Sequence, residues 1–571
     1  MLVPDADGRL HGHGPLALPF STPRLQGRFG PGWTVDDLAV WGAGSVGSIR
    51  LQPAAPISRS AALPNRLELT GAGSSFTAEA LPNASCVVVD VQHPAPVLQL
   101  SLRSAAGGRR RPEGESLLLQ LPRAVLIAWA RGAVASDRRL AIPGRSRLIL
   151  ALGATEAEAR RALTAVRQDP HPLEAGRTYR TWCASQVPTT DPLLGSLLTH
   201  ALHAAASSRK QDAGGGFAGL AAGYGYSFPA RTYYRDGYWT SRALLPFRPE
   251  WVREEIKVLA GGVHADGEAP SGVLVPAGGD PGGEFWPDHL DSPLFFAILI
   301  ADYIATTGDR SPLEHGTVRD ALSSIGKRYL ALAETGGGLP LKPRHERDWA
   351  DNVFRSGVVA YDAMLYLGAL RSLAFLAGDD VRLRNRCLNA YPIGQRALER
   401  ALWLPDAGHY AEYRAADGFV ESHLAIDSLV GAWLGVLPPE RERQLLTAAQ
   451  RLLVTRDNPG QPYGDWGVMA CFPPYRRAAD LRGKSRFAYR YHNGADWPYW
   501  DAVFAQALRK QGGQSGAWRH VLTRWWSYGL EQGWPEPVEY FSPPYGRGSP
   551  LQAWSGLAAA VLAESEARPR L

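Results

Sequence analysis

Apolar positions along this chain follow one spacing up to about residue 152 and another from about residue 190. In the first stretch they come in short runs: RLELTGAG, SSFTAEAL, SCVVVDVQ, VLQLSLRS, SLLLQL, AVLIAWA and SRLILALG. Several runs alternate apolar with polar residues, and clusters of Gly, Pro, Asn or Ser separate them. Short strands at regular intervals predict an antiparallel β-sandwich over residues 1–152. The last run ends at Gly153. Thr155 then offers a helix cap, with Glu158 completing a capping box, so 153–189 reads as a helical linker. Beyond it, apolar residues recur at three- and four-residue steps, which predicts helices. Their ranges are 193–208, 249–261, 292–307, 316–334, 357–377, 382–402, 425–436, 438–454, 498–511, 515–530 and 549–564. Helices paired by alternately short and long connections predict an (α/α)6 barrel over 190–571, and the whole reads as an α+β multidomain chain.

The long connections are 209–248, 262–291, 336–356, 455–497 and 531–548. Loops of this length are uncommon in compact domains unless they build a site. If they gather at one end of the barrel, that end is the active face. Composition points the same way. The chain has 18 Trp and 21 Tyr, and sugar-binding clefts need aromatic faces for the C–H faces of pyranose rings, although large helical proteins also bury many Trp. The formal charge of +6 is scattered, and the one tight run, GGRRRPEG at 107–114, reads as a solvated hairpin tip rather than a nucleic-acid patch. Cys86, Cys183, Cys387 and Cys471 are far apart, with no metal-type spacing and no disulfide framework. No metal or other cofactor is expected. The N-terminus, MLVPDADGRLHGHG, shows no basic-then-apolar leader, and no run of about 18 apolar residues occurs. A cytoplasmic protein without a membrane partner is expected.

Five loops carry polar–aromatic clusters. RTYYRDGYWTSRALL holds Arg235 and Asp236 between Tyr234, Tyr238 and Trp239. An Arg–Asp pair suits sugar hydroxyls, because the carboxylate accepts and the guanidinium donates. The bland alternative is a buried ion pair. GGEFWPDHLDSPLFF holds Trp286, Asp288 and Asp291, where Asp291 is either a binding residue or the cap of the next helix. RHERDWADNVF holds Asp348, Trp349 and Asp351. A carboxylic acid beside an aromatic ring, on a loop fixed by a rigid helix, is a way to build a catalytic acid. The alternative is that Asp348 or Asp351 caps the helix. SRFAYRYHNGADWPYW holds Tyr491, His492, Asn493, Asp496, Trp497 and Trp500. GWPEPVEYFSPPYGRG holds Glu536 and Glu539.

In their order these clusters resemble the (α/α)6-barrel inverting glycoside hydrolases, among them glycogen-debranching amylo-α-1,6-glucosidases, glucosidase-I types, trehalases and glucoamylases. YHNGADWPYW resembles their YHNG-x-x-WP-type loop, and EYFSPPYGRGSPLQAWS their Glu-aromatic-aromatic loop followed by Gln-x-Trp-Ser. ERDWADNVFRSGVVAYDAMLYLGAL resembles their Trp-x-Asp loop and following helix, and YYRDGYW their Arg-Asp signature. The resemblance spans residues 193–566. It departs at Ala360 and Asp362, where the debranching type commonly has Glu and Asn. It implies an inverting, two-carboxylate hydrolase acting on an α-glucoside or related oligosaccharide. Asp351 matches the general acid and Glu539 the general base. Arg235, Asp236, Trp239, Trp286, Asp291, Trp349, Tyr491, His492 and Trp497 match the sugar-binding set. The acid beside Trp349 is expected to be neutral, and the base more solvated and charged. Asp348 and Glu536 are the nearest competitors for the two roles.

Other classes fit less well. An inverting phosphorylase needs a phosphate pocket where Glu539 stands. Toroid lyases usually carry their β-domain after the toroid, and sugar 2-epimerases lack one. A non-catalytic carbohydrate-binding protein would need aromatic platforms but no opposed acids.

Overall fold

The computed structural model describes residues 1–104, 107–212, 214–226, 229–275, 284–344, 347–512 and 516–563. Its first part is a 15-stranded sheet in which every pairing is antiparallel. Two strands run much longer than the sequence segments suggest. SCVVVDVQ and VLQLSLRS belong to one strand, Cys86–Arg103, and SRLILALG extends back to Arg139. These two strands pair with each other, and the register breaks between Gln92 and Val97. The intervening residues are His93, Pro94, Ala95 and Pro96, and a proline has no N–H for the ladder. Before the break the strand also pairs with Ser74–Ala80, and after it with Gly44–Gln52. The sheet therefore folds over on itself at the bulge, which makes a sandwich from one continuous sheet.

Part of the outer face is covered by α1 (Glu156–Gln168), whose Ala159, Leu163 and Val166 pack on Val88, Leu118, Ile127 and Ile149. The cap forms as the sequence suggests: Thr155 Oγ1 accepts from the Glu158 N–H at 3.2 Å. Glu158 Oε2, however, reaches the N–H of Ala154 rather than Thr155. The arginine run is not a hairpin tip. Arg109–Glu113 is a strand, and Arg111 reaches across to Glu156. After α2 (Glu174–Ser185) the described residues form twelve helices: α3 (Pro192–Ser207), α4 (Tyr234–Leu244), α5 (Pro249–Ala260), α6 (Ser292–Thr307), α7 (Gly316–Thr335), α8 (Ala360–Leu376), α9 (Val381–Leu402), α10 (Val430–Leu434), α11 (Pro439–Leu453), α12 (Pro498–Lys510), α13 (Ala517–Glu531) and α14 (Leu557–Ala563).

Alternate helices form an inner ring. α4 packs on α6, α6 on α8, α8 on α10, α10 on α12, α12 on α14, and α14 closes back on α4. The division is written in the composition. α6 and α8 are buried on nearly every side, whereas α5, α9 and α11 bury only one stripe. In chain order, every long connection enters the N-terminus of an inner helix. All of these connections therefore meet at one end of the barrel.

Three sequence expectations are corrected. Helix α4 lies inside the predicted loop 209–248. Val358 and Val359, predicted helical, form a strand with Tyr413 and Arg414. The predicted helices at 425–436 and 549–564 begin as 3₁₀ turns, Ile426–Leu429 and Ala553–Gly556. Residue 515, the predicted start of the helix to 530, and residue 564, the predicted end of the last helix, lie outside the described residues. No described helix is long and apolar enough to cross a membrane.

The sheet is fastened to the barrel through Lys210, a buried lysine just beyond α3. Its Nζ donates to Ser21 Oγ at 2.6 Å, the Thr22 carbonyl at 3.0 Å and the Ser207 carbonyl at 2.7 Å. Burial pushes its pKa down to about 7. Replacing it by methionine keeps the stem but removes three buried hydrogen bonds, leaving the Ser207 carbonyl only the Ser21 hydroxyl as side-chain donor. Lys210→Met is expected to lose about 3 kcal/mol of stability in chemical denaturation. A loss below about 1 kcal/mol would show that this contact does not hold the two parts together.

Candidate active site

A cavity of about 230 Å³ opens at the end of the barrel where the long connections meet. All five predicted loops contribute to its wall. The first gives Arg235, Asp236 and Trp239, the second Trp286, the third Trp349 and Asp351, the fourth Tyr491 and Trp497, and the fifth Glu539. Tyr226, Arg231, Tyr233, Ser271, Tyr499 and Trp554 complete it and were not singled out from the sequence. Tyr499 and Trp554 stand inside motifs that were, YHNGADWPYW and LQAWS, and Arg231 and Tyr233 inside RTYYRDGYWTSRALL. Ser271 stands in DGEAPSGV, which leads into the second cluster, and Tyr226 carries no such signal.

Asp351 stands on the short turn after Trp349. Its side chain is 20 % exposed. Burial pushes its pKa up to about 6, and Glu539 and Asp348 push the same way, against Arg235 and Arg347. Neither Asp348 nor Asp351 caps a helix, since α8 starts nine residues after Asp351 and its cap position is Val359. Asp348 is engaged elsewhere. Its Oδ1 accepts from the Ala350 N–H at 2.8 Å and its Oδ2 from Arg355 Nε at 2.9 Å.

Glu539 lies on a tight loop whose arms meet twice. The Glu539 N–H donates to the Ser549 carbonyl at 2.9 Å, and the Ser549 N–H donates to Glu539 Oε2 at 3.1 Å. Gly548 makes this possible, because a Cβ there would fall 2.7 Å from Glu539 Oε2 and 2.5 Å from the Tyr540 ring. The loop is pinned to the YHNG loop by reciprocal backbone bonds between Asp496 and Phe541, 2.9 and 3.0 Å. The expectation that the base is the more solvated carboxyl is overturned. Glu539 is only 9 % exposed, because Gly548 lets the returning arm close over it. Burial raises its pKa too, offset by the Ser549 bonds and the Lys484 charge. Glu536, its competitor, is buried and paired with Arg547.

The Arg–Asp pair differs from the sequence reading. Arg235 lies 4.0 Å from Asp236, but its NH1 donates to Asp291 Oδ2 at 2.8 Å. Asp291 Oδ2 also accepts from Tyr361 on α8 at 3.1 Å. Asp291 is fully buried, held as a carboxylate by Arg235 and His289, and does not line the cavity. It is neither a side-chain cap nor a wall residue; it supports Arg235 from behind. Asp236 faces the cavity, with burial and the Glu539 charge raising its pKa to about 7 against the pull of Arg235.

His492 is likewise corrected from wall to support. It stacks on Trp497, with centroids 4.9 Å apart and planes at 7°, and receives the edge of Trp349 at 4.7 Å. Its Nδ1 is 3.7 Å from Asp351 Oδ1. Burial drives its pKa well down, so the ring is neutral and packs rather than pairs. Trp239 forms a floor against Tyr499, Trp500 and Trp433. Trp286, by contrast, is 46 % exposed at positive φ, with the Arg347 guanidinium 5.5 Å from its ring.

Among the described residues, one group brings three possible metal ligands together, His264, Asp266 and Glu268. It sits on a turn beyond α5, where Glu268 pairs with Arg328, and none of the three lines the cavity.

No protein-family model matches the chain, and no curated protein sequence matches it. Its fold does have solved counterparts. A bacterial glucoamylase complexed with acarbose aligns over 96 % of this chain and 93 % of its own, with 11 % identity and a TM-score of 0.63. A rhamnosidase from Klebsiella oxytoca with rhamnose bound aligns over 96 % and 95 %, with 15 % identity and a TM-score of 0.53. The likeness covers both the sheet and the helical barrel, and at these identities it is a likeness of fold.

The charge of Glu539 raises the pKa of Asp351. Removing it in Glu539→Gln is therefore expected to move the Asp351 carboxyl ¹³C titration from a midpoint near 6 to lower pH by about half a unit. An unchanged midpoint would show that the two carboxyls do not sense each other.

Proposed function

We propose that this chain is a glycoside hydrolase that inverts configuration at the anomeric carbon. The observation that carries the proposal is the pair Asp351 and Glu539. They lie 188 residues apart in the sequence, yet they share one small aromatic-walled cavity, and their nearest acidic rivals are tied into ion pairs. Asp351, whose pKa burial raises to about 6, holds its proton at mildly acidic pH and gives it to the glycosidic oxygen as the C–O bond breaks. Glu539 takes a proton from water as the water oxygen attacks the anomeric carbon from the opposite face. The Ser549 N–H and the Lys484 charge favour its ionised form. This chemistry requires a gap of roughly 6.5–9.5 Å between the carboxyls, the room a water needs.

The cavity has the volume of about seven or eight liquid waters. That suits one sugar ring, so the reading is of an enzyme that removes a terminal unit. Its substrate is an α-glucoside or a related oligosaccharide, a class supported by the fold shared with the glucoamylase. Asp236 and Arg235 would meet the hydroxyls of that unit, and Trp286 at the mouth would carry what lies beyond it. We assign residues 1–152 to the sandwich, 153–189 to a linker and 190–571 to the catalytic barrel. A reducing, cytoplasmic setting agrees with four free buried cysteines among the described residues.

The two roles separate by leaving group. Asp351→Asn is expected to lose at least about a hundredfold in kcat/KM on the natural glycoside. It should keep most of its activity on a glycosyl fluoride, because fluoride departs without a proton. Glu539→Gln should lose both activities, since either substrate needs an activated water. Equal losses on both substrates for Asp351→Asn would reject it as the acid.

A further inference from the structure

Beneath the acid loop lies a buried polar cluster that the proposed reaction does not use. Arg355 is fully buried. Its Nε donates to Asp348 Oδ2 at 2.9 Å, and its NH1 donates to Glu412 Oε1 at 2.7 Å and Asp427 Oδ2 at 2.5 Å. Asp427, on the 3₁₀ turn leading into α10, makes one further bond. Its Oδ2 accepts from the indole N–H of Trp349 at 2.6 Å. Glu412 is held in turn by Tyr475 at 2.5 Å and by His423.

We propose that Asp427 is a positioning residue for the reaction: its carboxyl fixes the plane of the Trp349 ring, and that ring fixes the surroundings of Asp351. The geometry is a chain of contacts. An indole has one donor, and here it points away from the cavity to the Asp427 carboxyl, whose pKa burial raises against the pull of Arg355 and of the indole N–H itself. The ring thus anchored presents its edge to His492 at 4.7 Å and to Trp497 at 5.5 Å. His492 stacks flat on Trp497 and stands 3.7 Å from Asp351 Oδ1. Without the anchor, the indole is free to turn about its side-chain bonds, and water gains access to the acid.

A change in that access alters the proton affinity of Asp351. The charged groups facing Asp351 are Arg235 on α4, Arg347 and Asp348 on its own loop, and Glu539 across the cavity. None of them bonds to Asp427 directly, but Arg355 joins Asp427 to Asp348 as well. Two paths therefore lead from Asp427 toward Asp351, one through the ring and one through Arg355, and Trp349→Phe cuts only the first. The inference rests on Asp351 being the acid, which the Asp351→Asn substrate contrast establishes or refutes by itself.

The test is the alkaline limb of the kcat/KM pH profile, the limb set by loss of the acid's proton. Trp349→Phe keeps an aromatic ring but removes the donor, and Asp427→Ala removes the acceptor. Each is expected to move the limb to lower pH by about half a unit. The double variant should move it no further than the larger single shift, because both break one link. A limb that stays in place in Trp349→Phe overturns the proposal, even if Asp427→Ala does not fold. So do additive shifts in the double variant. A fall in thermal stability alone, with the limb unmoved, would make Asp427 a purely structural residue.

Discussion

One buried ion pair organises the working end of this molecule. Arg235 begins α4, Asp291 precedes α6, and Tyr361 begins α8, and the three meet at the Asp291 carboxylate. Three consecutive helices of the inner ring are joined there. Burying these charges is costly, and breaking such a pair by removing one partner leaves the other uncompensated. The arrangement is retained at the site because it holds a permanent positive charge beside the cavity. That charge works against burial at both Asp236 and Asp351. Without it, desolvation and the charge of Glu539 would drive both acids further toward permanent protonation. The ion pair thus sets the level from which the proton affinities of Asp351 and Asp236 are tuned.

Asp351 and Glu539 oppose each other electrostatically in one small cavity, and the structure separates them by environment. Asp351 stands among Trp349, Trp497 and a neutral His492 and makes no hydrogen bond among the described residues that would stabilise its charge. Glu539 is more enclosed but accepts a backbone N–H and lies within reach of the Lys484 field. Hydrogen bonding, more than solvent exposure, distinguishes the two. A sequence cannot express this, because it depends on Gly548 allowing the Ser549 N–H to approach Glu539.

What was legible in the sequence was local chemistry on long loops. The spacing of apolar residues marked the helices, and the chain order of long loops before inner helices placed those loops together. Helix α4 escaped notice because Arg235, Asp236, Thr240, Ser241 and Arg242 give it the polar look of a loop, although it is buried nearly all round. The long strands escaped because His93–Pro96 reads as a turn, whereas the chain there bulges and continues. Asp291 and His492 lie behind the cavity, whereas the sequence reading placed them in its wall. Sequence proximity to a motif does not tell which side of a loop faces the ligand. Asp427 escaped entirely, since a lone Asp before a short helix carries no pattern, and its importance lies in a bond to a ring 78 residues away.

The most direct test of the account is the anomeric configuration of the first-formed product. Proton NMR of an early time point, before mutarotation, reads it from the anomeric doublet of the released sugar. A single displacement by water, with Asp351 as acid and Glu539 as base, predicts a product whose anomer is opposite to that of the glycoside supplied. A product of retained configuration would contradict the account, because it requires a covalent glycosyl–enzyme intermediate and carboxyls only about 5 Å apart.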